Sequence, residues 1–308
     1  MDTASSASQV RKRIACIGEC LVELRADGDT SFATAFAGDT LNTATYLVRS
    51  GLHEVSFVTV IGEDEISGRM LTAWQNEGID TQLVGRHAER LPGIYLIEND
   101  ESGERTFRYW RSESAARTLM LPESGVLPES LSSHDVLYLS GITLAVMQPQ
   151  AREALLAFLA DFRDSGGVVS FDSNYRPRLW ESVECARDWV MKMWALTDIG
   201  LPSLDDELLL FAESSEDHVS ARLLDAGVPE LLIKRGEQGP LVYRHGVPAE
   251  YAPLAGEVVV VDTTGAGDSF NGGYLASRLA GNDIAASVQS AHGLATRVIG
   301  HAGAILPE

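Results

Sequence analysis

The 308-residue chain has no apolar run of about 18 residues, so no stretch is long enough to cross a bilayer as a helix. Cysteine is scarce. Cys16, Cys20 and Cys185 are an odd count without zinc-like spacing, which excludes a fully paired disulfide framework. Cys16 and Cys20 lie at even spacing on a predicted strand and share a face, which fits packing, and reduced thiols fit a cytoplasmic protein. Basic residues are few: 24 Lys and Arg stand against 44 Asp and Glu, a net charge of −20. That balance argues against binding to nucleic acid or to an anionic membrane. It does not exclude a nucleotide or an acidic sugar, which need only a local concentration of donors. The histidines are scattered without metal spacing. Two common phosphate motifs are also missing. No Gly-x-x-x-x-Gly-Lys-[Ser/Thr] occurs, and Phe270 stands where the third glycine of a dinucleotide fingerprint would follow Gly265 and Gly267.

What is present reads as one globular domain. Apolar residues make up 45% and charged residues 22%, ordinary for a soluble fold, and the length suffices for a substantial core. Residues 1–12 are expected to be a disordered tail rather than a secretory signal, with the domain over 13–308. No internal repeat or low-complexity linker interrupts it. Strand-like and helix-like segments alternate, which predicts an α/β fold with a mainly parallel sheet. Strands are expected at 14–17, 55–61, 136–139, 168–171, 199–201 and 231–234. Helices are expected at 40–50, 67–76, 150–163, 184–194, 204–211, 269–279 and 284–298. Two segments break the rhythm, 21–36 and 93–111. The second reads as a β-hairpin turning at Asn99-Asp100-Glu101-Ser102-Gly103. Strand alternation puts Arg105, Phe107, Tyr109 and Arg111 on one face, and Thr106, Arg108 and Trp110 on the other.

The densest signal is Asp262-Thr263-Thr264-Gly265-Ala266-Gly267-Asp268. It follows Val258 to Val261, which read as a buried strand, and precedes a helical stretch from Ser269. A Gly-Ala-Gly turn opening a helix leaves backbone N–H groups uncovered at the positive end of the helix dipole, which makes an anion site. Asp268 beside it supplies a base. An anion site with an adjacent base is the equipment for phosphoryl transfer to a hydroxyl. Taken alone, the glycines also fit a tight turn, and Asp fits a helix N-terminus.

With Ser269 and Phe270, this string resembles the C-terminal signature of the ribokinase-like (PfkB) carbohydrate kinases. Phe36 to Ala44 is similar to the family's N-terminal Gly-Gly-x-x-x-Asn segment, with Ala37 replacing the first glycine and Gly38 and Asn42 retained. The resemblance extends over nearly the whole chain. It implies a three-layer α/β fold with a small β-sheet lid formed by 21–36 and 93–111, the lid commonly supplying a homodimer contact. It also implies ATP with Mg²⁺. Three segments, Ile17 to Leu24, Glu101 to Arg111 and Phe171 to Trp180, resemble the branch that phosphorylates the terminal (C6) hydroxyl of 2-keto-3-deoxygluconate. That places the activity in sugar-acid catabolism, feeding Entner–Doudoroff-type cleavage.

The resemblance carries roles onto particular residues. Asp268 is the general base, and Gly265, Ala266 and Gly267 form the anion hole. Gly38, Asp39, Asn42, Tyr95, Tyr109, Arg111 and Arg176 contact the sugar acid. Asn174, Arg176, Ser203, Lys234, Gly236 and Gly239 line the nucleotide side. Asp262 and Thr264 stand where a monovalent cation such as K⁺ binds in relatives, although oxygen-rich loops are common on surfaces. Asp39 fits a helix cap as well as a ligand. Arg111 fits a carboxylate as well as an Arg–Glu ladder near Glu101 and Glu104. Arg176 reaches sugar and phosphate, or pairs with a loop carboxylate such as Glu181. Ser203 replaces the Asn that many members carry ahead of a Glu, which leaves the adenine and Mg²⁺ contacts of Pro202 to Glu207 open. Rival readings are a kinase for fructose, ribose or 2-keto-3-deoxygalactonate, and a non-catalytic sugar-acid-binding regulator.

Overall fold

Strand alternation divides the core in two. In the first strand, β1 (Arg13–Ile17), Ala15 and Ile17 face one apolar cluster while Ile14 and Cys16 face another. The computed structural model describes residues 11–26, 30–99, 105–251 and 259–307. After β1 come β2 (Leu21–Ala26), β3 (Phe32–Ala37), α1 (Asp39–Arg49), β4 (Glu54–Gly62), α2 (Glu65–Asn76) and β5 (Val84–His87). The middle of the chain forms β6 (Ile94–Asn99), β7 (Arg105–Trp110), β8 (Val136–Ser140), α3 (Gly141–Val146), α4 (Pro149–Asp164), β9 (Val168–Asp172) and α5 (Val183–Trp194). It closes with β10 (Ile199–Gly200), α6 (Leu204–Phe211), α7 (Glu216–Asp225), β11 (Glu230–Ile233), β12 (Leu241–Arg244), β13 (Val247–Glu250), α8 (Ala266–Leu279) and α9 (Ile284–Ile299).

The larger sheet runs β5-β4-β1-β8-β9-β10-β11 with parallel pairing, then adds β12 and β13 antiparallel at one edge. One face packs against α1, α2, α8 and α9, through Leu41, Trp74, Tyr274 and Ala291. The other packs against α4 to α7, through Leu155, Met193, Leu210 and Leu223. A separate four-stranded sheet, β3-β2-β6-β7, is built from the two segments that break the βα rhythm. The α/β reading, with a mainly parallel sheet and a small second one, therefore holds. Among the described residues no helix is long and apolar enough to cross a membrane. Cys16 and Cys20 are buried, and burial pushes both thiols up, as packing residues require.

Some local expectations need correction. Val259, Val260 and Val261 form no strand and stand exposed, while Val258 lies outside the described residues. Among the described residues they have no sheet neighbour, and the Val261 N–H bonds Ile299 O at the end of α9. The following helix starts at Ala266 rather than Ser269, which draws the glycine turn into its first turn. Five of the described elements escaped the periodicity: β5, α3, α7, β12 and β13. The three strands and α3 are too short to carry a clear pattern, and α7 buries only Val219, Ser220 and Leu223. Asp100 to Gly103 of the hairpin turn, and residues 1–10 of the tail, lie outside the described residues. Trp74 packs edge-on to Phe57 and Trp194 edge-on to Phe171. Trp180 and Trp189 flank the buried Arg152, which takes Glu181 as its ion-pair partner.

Glu207, on the inner side of α6, is fully buried and accepts from Arg222 Nη2 at 2.9 Å. Burial outweighs that partner and pushes its carboxyl up to about 7. A carboxyl raised in the fold binds its proton more tightly folded than unfolded, so its contribution to stability falls as pH rises from about 4.5 to 7. Glu207→Gln should flatten that fall. Melting temperatures across pH 5 to 8 should show the variant gaining on the wild type as pH increases, and parallel curves would refute the assignment.

Candidate active site

The loops at the carboxyl ends of the parallel strands converge with the start of α8 on one cavity of about 440 Å³. Glu19 enters after β1, Asp172 at the end of β9, Ser203 after β10 and Lys234 after β11. Gly38, Asp39 and Asn42 come from the start of α1, and Tyr95, Phe107, Tyr109 and Arg111 from the small sheet. Asn174, Arg176, Asp206, Thr264, Gly265, Ala266, Gly267 and Asp268 complete the wall named here. Of the residues singled out in the sequence, only Gly236, Gly239 and Asp262 lie outside this lining. Gly236 and Gly239 flank a short turn with positive φ of 55° and 77°.

The start of α8 is set by Gly265, the N-cap, at φ 74°. A Cβ there would also come 2.7 Å from the Ala304 Cβ, so the turn needs glycine for both conformation and space. The first helical bond runs from Ser269 N–H to Gly265 O, and the Gly267 and Asp268 amides precede that ladder. The Ala266 N–H, expected in the anion hole, turns back to Thr263 O at 3.2 Å. Asp262 braces the turn from below. Its Oδ1 accepts from Thr264 N–H at 3.0 Å and its Oδ2 from Gly303 N–H at 2.7 Å.

Asp268 accepts from Asn42 Nδ2 at 2.8 Å through Oδ2. Burial and the nearby Asp39 carboxylate raise its carboxyl from 3.8 to about 7, against the opposing pull of Asn42. Asn42 Oδ1 is buried with no hydrogen-bond partner among the described residues, an acceptor awaiting a donor in the cavity. Asp39 does not cap α1. Gly38 is the N-cap, without a side-chain bond, and the Asp39 carboxylate accepts from Asn174 Nδ2 at 2.7 Å. Gly38 is needed because a Cβ would lie 2.1 Å from Glu19 O.

Beneath the base lies a buried polar network. Asp172 Oδ2 accepts from Lys234 Nζ at 2.6 Å and Asn271 Nδ2 at 2.7 Å, and Asn271 Nδ2 also reaches Tyr138 OH at 3.0 Å. Thr43 Oγ1 lies 3.3 Å from the same Tyr138 hydroxyl and donates to Asp268 O at 3.1 Å. Arg176 pairs with Asp206 at 3.3 Å rather than with Glu181. On the small sheet, Phe107, Tyr109 and Arg111 share the cavity face as alternation required, and Tyr95 stacks on Tyr109 at 5.7 Å. Arg111 does pair with a glutamate, but with the buried Glu19 across the cavity wall. Its Nε, like Glu19 Oε1, has no partner among the described residues. The Tyr95 hydroxyl donates to Glu23. Trp110 is exposed on the opposite face and Arg108 pairs there with Glu98.

Glu19, Asp172, Asp206 and Asn271 were not picked out from the sequence. Asp172 ends a buried strand, Asp206 follows Ser203 by three, and Asn271 follows Asp268 by three on one helix face, so each had a weak positional signal. The arrangement provides a buried carboxyl above its usual range, the Gly267 and Asp268 amides at a helix start, and three cations, Arg111, Arg176 and Lys234, in the same lining. It can deprotonate a hydroxyl beside a bound anion. Among the described residues no cluster of three or more His, Cys, Asp or Glu is placed to hold a metal by itself.

Comparison with known proteins gives concordant results. The pfkB family of carbohydrate kinases matches residues 11–308. The chain is 45% identical to 2-dehydro-3-deoxygluconokinase of Escherichia coli strain K12 over 305 residues, covering 96% of this chain and 97% of that protein. Fructokinase of Klebsiella pneumoniae is 31% identical over 267 residues, covering 86% and 83%. A fructokinase from Vibrio cholerae O395 with fructose, ADP and a potassium ion bound superposes with a TM-score of 0.84 at 25% identity, covering 96% and 95%. A putative ribokinase II from E. coli in complex with ATP and Mg²⁺ gives 0.83 at 25%, covering 96% and 94%.

The two glycines of the turn should separate in folding. Gly265→Ala forces a side chain into the left-handed region and against Ala304, and should cost at least about 1–2 kcal/mol. Gly267→Ala meets only Lys234 Nζ, at 3.4 Å, and should leave the melting temperature unchanged or raised. Equal destabilisation by the two would refute this account of the turn.

Proposed function

The chain belongs to the pfkB family of carbohydrate kinases, and from that premise we propose that it phosphorylates 2-keto-3-deoxy-D-gluconate at its terminal C6 hydroxyl, with ATP as donor. The product is 2-keto-3-deoxy-6-phosphogluconate. The observation that carries the reading is the single cavity with Asp268 at the amide-rich start of α8 and Arg111 toward the small sheet. A base and anion site at one end suit the reacting hydroxyl, and a cation at the other suits a substrate carboxylate. The 45% identity to the E. coli enzyme over nearly its whole length supports the same substrate.

In this reading the sugar acid lies between Arg111 and Asp268, and Asn42 Oδ1 and Asp39 accept from its hydroxyls. Asn42 holds Asp268 Oδ2, which leaves Oδ1 to take the proton of the C6 hydroxyl. The Gly267 and Asp268 amides meet the charge on the transferring phosphoryl group. Arg176, Ser203 and Lys234 face the nucleotide, and Asp206 is the carboxylate placed to hold its Mg²⁺, directly or through water. That ion neutralises charge on the β- and γ-phosphates when bound. Thr264 and the loop braced by Asp262 form the candidate K⁺ site. The small sheet closes as a lid. Its outer face, with Trp110 exposed, is the candidate homodimer surface. Three cysteines without a disulfide fit a cytoplasmic setting.

An ADP-release assay with 2-keto-3-deoxygluconate, its C4 epimer, fructose and ribose tests the proposal. Turnover should be greatest with the keto-deoxy sugar acids, and preference for a neutral sugar would overturn it. Asp268→Asn should lose about 10²–10⁴ in kcat while binding ATP normally. The base must be ionised, so wild-type kcat/KM should rise with pH to a plateau above about 7. A flat profile down to pH 5, or a fully active Asn variant, would remove Asp268 from that role.

Arg111→Lys keeps a cation for Glu19 but loses the planar fork. The second hydrogen bond of the fork contributes roughly 0.5–1.5 kcal/mol, so KM for the sugar acid should rise about two- to tenfold. KM for ATP should not change. Equal losses with acidic and neutral sugars would mean that Arg111 supports the lid only.

A further inference from the structure

Lys234 brings a cation to the start of a helix. Its ammonium stands beside Gly267, where a Cβ on that glycine would come within 3.4 Å of Nζ. That is the first turn of α8, the positive end of the helix dipole. The same turn carries an acid, Asp268, as the first turns of α1, α2, α5, α6 and α7 do, and Lys234 adds a cation beside it. Two of the three ammonium donors are taken, by Asp172 Oδ2 at 2.6 Å and Asn271 Oδ1 at 3.1 Å. The side chain is only 11% exposed, yet it lines the cavity that holds Asp268. A largely buried cation, fixed at two points and set next to uncovered amides, is arranged for an anion between them.

Building on the kinase reading above, we propose that Lys234 is a catalytic residue, whose third N–H bonds a non-bridging oxygen of the γ-phosphoryl group as it transfers. In that step the sugar O6–P bond forms and the bond from γ-phosphorus to the β–γ bridging oxygen breaks. The O6 proton passes to Asp268, and the electron pair of the broken bond leaves with ADP. Lys234 neither gains nor loses a proton. It opposes the charge on the equatorial oxygens from the side facing the Gly267 and Asp268 amides. Asp172 and Asn271 act as positioning residues that hold the ammonium there.

The simpler role for Lys234 is to neutralise Asp172, and a double substitution separates the two. Lys234→Met should lower kcat by about 10²–10³, with KM for the sugar acid within about threefold of wild type. Lys234→Arg should recover part of the loss. If Lys234 only neutralises Asp172, then Lys234→Met combined with Asp172→Asn should turn over as fast as Asp172→Asn alone, and that result would overturn the proposal. If Lys234 meets the phosphoryl group, the double variant stays as slow as Lys234→Met. Calorimetric titration gives a second readout without turnover. The wild type should bind a non-hydrolysable ATP analogue more tightly than ADP, and Lys234→Met should lose that preference while keeping its ADP affinity. An unchanged preference would also overturn the proposal. Should Lys234→Met fail to fold, the double variant, with no unpaired buried charge, serves for both measurements. A wild type that phosphorylates no sugar acid would refute the substrate reading and leave the titration as the test of Lys234.

Discussion

Four aspartates, Asp39, Asp172, Asp206 and Asp268, line one cavity together with Glu19, and the mutual repulsion of these carboxylates is the constraint that the rest of the site answers. Each aspartate is given a different partner. Asn174 holds Asp39, Lys234 and Asn271 hold Asp172, Arg176 holds Asp206, and Asn42 alone holds Asp268. Two aspartates thus face cations and two face neutral amides. Burial and the neighbouring Asp39 drive Asp268 up to about 7, poised to exchange a proton near neutrality, and burial raises Asp206 as well.

The buried network under Asp268 ties together elements far apart in the chain. Thr43 of α1, Tyr138 of β8, Asp172 of β9, Lys234 after β11 and Asn271 of α8 meet in one set of hydrogen bonds. Such a network costs little only when it is satisfied throughout, and it then fixes the helix start relative to the sheet. Phosphoryl transfer depends on position more than on covalent chemistry, so rigidity at this point favours the reaction.

A second coupling joins the main sheet to the small one. The Glu19 backbone presses against Gly38, where a Cβ would come 2.1 Å from its carbonyl, and the Glu19 side chain holds Arg111. One residue after β1 therefore sets both the Gly38 turn and Arg111 of the small sheet. Glu23 does the same for Tyr95 one strand on. A substrate carboxylate reaching Arg111 would have to share it with Glu19, which makes the acid end of the cavity sensitive to the pairing geometry.

Much of this was legible in the chain. The glycine turn, the aspartate beside it, the alternation of β7 and the parallel α/β order depend on local periods and backbone freedom, which sequence carries directly. Residues spaced by two along a hairpin share a face whatever surrounds them, so Phe107, Tyr109 and Arg111 could be grouped in advance. Partners were not legible. Arg111 meets Glu19 and Arg176 meets Asp206 because loops 30 or more residues apart are folded to one place. The Val259 to Val261 run has strand composition but finds no sheet neighbour among the described residues, so its environment overrules its propensity. Asp39 heads a helix yet leaves the cap to Gly38, because Asn174 draws its carboxylate away. The sequence by itself determined which groups are available and what backbone each allows. Only the tertiary structure decided which charges meet, since pairing energies depend on distance and burial, and these exist only once the chain has folded.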